Sequence, residues 1–106
     1  MSTSLAYIIE KFDKSVRALA TGEGDARSRV DVAFRCFWHI PIEDFPEALR
    51  EDRKQITALL TRLGGRKGYI IPENLRRMKN STAAEIAELI LGIYVRLMEI
   101  HIKKSA

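Results

Sequence analysis

Cys36 and His39 stand in the stretch C-F-W-H, a spacing that lets two side chains on one helix share a metal ion or pair a thiol with a base. A tetrahedral site needs two further ligands, and the chain offers only His101 and carboxylates. No third group is placed to orient His39 as a base, so no Cys/His or Ser/His/Asp nucleophilic set is argued. The adjacent carboxylates Glu43-Asp44 and Glu51-Asp52 suit helix starts and surface charge. The expectation is therefore no catalytic residue, no metal and no cofactor; these residues leave an enzyme possible but unsupported.

Residues 62–79, RLGGRKGYIIPENLRRMK, raise a different chemistry. Arg62, Arg66, Lys67, Arg76, Arg77 and Lys79 crowd around glycines and a proline, opposed only by Glu73. A phosphate-cradling loop needs G-x-x-x-x-G-K-[ST] between a strand and a helix, so that backbone amides converge on the anion. Here Gly64 and Gly65 follow a helical pattern, and Gly68 precedes Tyr69 with no lysine and hydroxyl behind it. That spacing argues against a nucleotide loop. Basic groups beside an aromatic do fit a nucleic-acid backbone with a stacked base, or an acidic protein partner. Arg62, Arg66, Lys67, Tyr69, Arg76, Arg77 and Lys79 are the candidate contacts, against the plainer reading of a solvated connection. Charge balance points to the same place: residues 49–79 carry nine basic and three acidic groups, whereas residues 1–48 carry six and eight.

Arg96 and His101, in R-L-M-E-I-H, have an R-x4-H spacing. This resembles the motif of HEPN ribonucleases, small all-α domains that pair such motifs across a dimer. The resemblance covers these two residues, and Leu97 stands where that family often has a polar residue. It implies a third reading, a HEPN-like ribonuclease. The alternative is that His101 simply sits at a helix end favoured by the dipole.

The elements that carry these residues are predicted from apolar periodicity. Leu5, Ile8, Ile9, Phe12, Val16 and Leu19 share one side of a helix over about 4–20. Asp25 is a candidate N-cap for a second helix, with Ala26, Val30, Ala33, Phe34 and Phe37 inward and Pro41 as its stop. Trp38 falls at the edge of that stripe, as core margin. A third helix is expected from D-F-P-E, capped by Asp44, with Leu49, Ile56, Leu59, Leu60 and Leu63 inward and Gly64 ending it. Tyr69, Ile70 and Ile71 are expected to be extended, and Pro72 to open a short helix over 73–79. The last helix should start at Thr82 in a T-A-A-E capping box and run close to residue 103.

That last helix is apolar on two sides. Ile86, Leu89, Ile90, Ile93, Leu97 and Ile100 form its core line. Leu91, Val95, Met98 and Ile102 repeat at 4, 3, 4 on nearly the opposite side. The expected fold is an all-α four-helix bundle over 1–106, with a short extra helix between the third and last long ones. The first functional expectation is a small helical interaction or accessory module, self-associating or docking onto a larger protein through Leu91, Val95, Met98 and Ile102. Nucleic-acid binding through 62–79 is the alternative. No apolar run is long enough to span a membrane, no signal-peptide pattern opens the chain, and a single cysteine excludes an intrachain disulfide; together they predict a cytoplasmic setting.

Overall fold

The computed structural model describes residues 3–65 and 68–105. Among these residues every regular element is helical: α1 (Leu5–Thr21), α2 (Ala26–Arg35), α3 (Arg50–Thr61), α4 (Ile70–Arg77) and α5 (Asn80–Ser105), with 3-10 turns at Ile42–Asp44 and Glu47–Leu49. The all-α class holds. None of these helices is long and apolar enough to cross a membrane.

Local chemistry sets the first boundaries. Ser4 caps α1 by accepting the Tyr7 amide at 3.2 Å, and Asp25 caps α2 by accepting the Ser28 amide at 3.1 Å. Gly24, at φ 86°, makes the left-handed turn that brings the chain into that cap.

The segment from 36 to 49 departs from expectation. α2 ends at Arg35, and its last carbonyls are taken up by the Cys36, Phe37 and Trp38 amides. Two prolines then fix the path. Pro41 and Pro46 each precede a 3-10 turn, and Phe45, the residue before Pro46, is extended at ψ 150°. Asp44 consequently caps no α-helix; its carboxylate accepts the Thr3 amide at 2.8 Å. α3 starts only at Arg50, whose guanidinium gathers the Phe45 and Glu43 carbonyls. The early end of α2 also turns Trp38 outward, so it is exposed and not core margin.

α5 is the element around which the others assemble, packing against α1, α2 and α3, while α4 bridges α2 and α3. Its core line Ile86, Ile90, Ile93 and Leu97 is fully buried, with Leu89 and Ile100 partly so. Phe12, Phe34, Phe37 and Leu60 share that core, as their spacing predicts. Phe12 stacks on Phe37 at 4.3 Å between centroids, and Phe45 meets Phe12 edge-on. Arg53 lies under these rings, 3% exposed, its guanidinium 5.1 Å from the Phe37 centroid and 5.5 Å from that of Phe34. Burial pulls its pKa down to about 10.

α5 begins at Asn80, two residues before the expected cap. The Lys79 carbonyl accepts the Thr82 and Ala83 amides, so Thr82 lies within the first turn and is buried. α4 likewise starts early, at Ile70, because Pro72 is accommodated inside the first turn, where its missing N–H has no helical acceptor to lose. Leu63, expected inward, is exposed beyond the end of α3.

Candidate functional site: the outer face of the last helix and the basic segment

The second apolar line of α5 is open on the single chain. Leu91 is 43% exposed, Val95 46% and Ile102 62%, and Met98 is half-buried. These side chains lie within roughly 60° of one another at 100° per residue, on the side opposite the core line. Two polar contacts flank them. Tyr94 Oη donates to Asp13 Oδ1 of α1 at 3.1 Å, and Arg96 donates to Asp52 Oδ2 of α3 at 3.1 Å and to the Ala48 carbonyl at 3.0 Å. Burial and the bond to Asp13 both raise the Tyr94 pKa, which keeps the hydroxyl a donor. The strip is thus the part of α5 that lies between its seams with α1 and α3.

The basic segment is held from inside by a residue the charge pattern does not reveal. Asn74 is fully buried; its Oδ1 accepts the Leu63 amide, and its Nδ2 donates to the Gly64 and Ile70 carbonyls, all at 2.8 Å. One side chain therefore ties the end of α3 to the start of α4, and Gly64 at φ 71° supplies the turn between them. Arg62, Tyr69, Arg76, Arg77 and Lys79 are exposed; Arg66 and Lys67 lie outside the described residues. Arg62 reaches the Thr82 hydroxyl at 3.4 Å, while Arg77 closes α4 and Lys79 follows it. Arg76 shares a surface depression with Asp25, Arg27 and Asp31, and Arg27 donates to the Arg76 carbonyl at 3.1 Å. Asp25 and Asp31 thus border the basic surface, a placement that their spacing along the chain does not predict.

The remaining chemical candidates do not converge. His39 Nε2 is 2.8 Å from Tyr7 Oη, whereas the Cys36 thiol donates to the Val32 carbonyl and burial pushes its pKa up. Among the described residues no group of three metal-ligating side chains forms. Arg96 is engaged by Asp52, and five residues along α5 turn His101 about 140° away from it. Trp38, 61% exposed, forms one wall of an apolar groove of about 610 Å³ with Phe34, Ile70, Ile71 and Pro72.

Comparison with known protein families, with curated proteins and with solved structures finds no match to this chain. The functional reading therefore stands on the geometry alone.

Proposed function

We propose that this protein is a helical interaction module that self-associates through the outer face of α5. In this reading α1, α2, α3 and α5 act as a four-helix bundle, with α4 the short extra element. One observation carries it: α5 is apolar on two sides, and the chain's own core covers only one. A continuous apolar strip on a chain of 106 residues is uncommon without something to cover it. Light scattering of the purified protein over a concentration series tests the reading. A mass above the monomer is expected, and a monomer at every concentration contradicts it.

A second reading, nucleic-acid binding at 62–79, keeps one supporting observation. Arg62, Arg76, Arg77 and Lys79 are exposed, with no ion pair to another described residue. Titration with labelled RNA and DNA at two salt concentrations tests it. Binding there should weaken steeply with salt, because each phosphate contact releases counterion.

A further inference from the structure

Arg53 is a buried cation, 3% exposed, that forms no ion pair with another described residue. Buried guanidinium groups are ordinarily paired, because desolvating an unpaired charge is costly. Burial lowers its pKa only to about 10, so Arg53 is charged at neutral pH. Thr57 Oγ1 takes Nη1 at 2.8 Å, and Nε has no acceptor among the described residues. The Nε–Nη2 edge, which can hold a carboxylate through two parallel bonds, is left over.

The position of Arg53 in the fold gives that charge a use. α2 packs chiefly on α1, α4 and α5, and α3 on α4, α5 and the 3-10 turns, so α2 and α3 flank a groove that α4 closes at one end. The bond to Thr57 swings the guanidinium toward the C-terminal half of α3. Thr61, one turn further on (about 6 Å) and about 40° round, lines the groove. Phe34 belongs to both places: it lines the groove, and its ring centroid is 5.5 Å from the Arg53 Cζ. Trp38, Ile70, Ile71 and Pro72 supply the apolar wall, and the volume of about 610 Å³ falls within the ~300–1,000 Å³ of small-molecule sites. The rim charges Asp31 and Arg35 bond to each other at 3.0 and 3.2 Å, which leaves Arg53 as the charge nearby that no carboxylate of the described residues satisfies.

We infer that the groove between α2 and α3 binds a small apolar carboxylate, its tail against Trp38, Ile70 and Ile71 and its carboxylate on Arg53. This site goes beyond association through α5 and does not depend on it. Arg53 Nε is enclosed, so the carboxylate reaches the free edge as the Phe34 ring turns aside. The contact is then a two-point, charge-assisted one in low-dielectric surroundings, where such bonds are strongest. It also gives a role to a charge whose burial costs stability.

Trp38 is the single tryptophan of the chain, so intrinsic fluorescence reports on the groove wall. The probes are decanoate and decanol, which share an alkyl chain and differ in charge, each kept dilute enough to stay dispersed at neutral pH. Decanoate should change the Trp38 emission saturably, and decanol should bind at least about tenfold more weakly. Arg53→Met should bring decanoate down to the level of decanol and leave decanol unchanged, with circular dichroism showing that the helices persist. Equal affinity of the wild type for the two probes overturns the inference without recourse to any variant. Unchanged decanoate binding in folded Arg53→Met, or no saturable response to decanoate, overturns it as well.

Discussion

Tyr94 Oη donates to Asp13 Oδ1 at 3.1 Å across 81 positions of chain, locking the rotation of α5 against α1. Arg96, two residues on, does the same against α3 through Asp52. Rotation matters because α5 has two apolar faces; burial of Ile86, Ile90, Ile93 and Leu97 decides which one turns inward, and these polar contacts add to that choice. Tyr94→Phe should lower stability by about 0.5–1 kcal/mol in urea unfolding, the worth of one partly exposed hydrogen bond. The oligomeric mass should not change, since the ring remains and the strip keeps its orientation.

Asn74 should be the most sensitive residue of the basic segment although it carries no charge. Asn74→Ala leaves the Leu63 amide and the Gly64 carbonyl without their side-chain partner. A loss of about 2–4 kcal/mol is expected by chemical denaturation. Replacing the neighbouring Arg76 and Arg77 by Gln should change stability by less than about 0.5 kcal/mol.

Arg53 is a buried cation that donates to the Thr57 hydroxyl at 2.8 Å and whose Nε has no acceptor among the described residues. Its stem and guanidinium fill space beneath Phe34, Phe37 and Phe45. Arg53→Met keeps most of that volume and removes the desolvated charge. The variant should be as stable as the wild type, or more stable by about 1–3 kcal/mol. Arg53→Ala should lose about 2–4 kcal/mol through the cavity it leaves. If Met proves as damaging as Ala, the cation–ring contacts contribute more than burial costs.

Acid sensitivity should trace in part to two carboxylates. The Ser28 amide, then the Arg27 guanidinium, hold Asp25 below the ordinary carboxylate range, and the Thr3 amide does the same for Asp44. In both cases the unfolded chain takes up the proton at higher pH than the folded one. Their stabilisation is therefore complete above about pH 4 and is lost as pH falls through the depressed folded values. Asp25→Asn keeps a capping oxygen but does not titrate. Its melting temperature should fall less than that of the wild type between about pH 5 and about pH 2.

The two-faced character of α5 was legible in the sequence because a long uninterrupted helix repeats its pattern many times. Ile86, Ile90, Ile93 and Leu97 are buried, and Leu91, Val95 and Ile102 are open, on the sides their spacing assigns. The stretch from Cys36 to Leu49 was not legible. Pro41 and Pro46 read equally well as a helix stop and a helix start, but together they leave room only for 3-10 turns, and Trp38 swings out as a result. Asn74 gave no signal because its role is to satisfy backbone groups of residues 63, 64 and 70, which pair with it only once the chain has turned.

The central claim is that the outer face of α5 is an interface and not part of the core. Val95→Asp with Met98→Asp places two charges on that face, and the most direct measurement is sedimentation mass together with helical content for this variant beside the wild type. The account predicts a monomer as helical as the wild type, whose own mass is that of a dimer. A variant that loses its helical signal would show the strip to be internal, and one that keeps the wild-type mass would show association to use another surface; either result contradicts the claim.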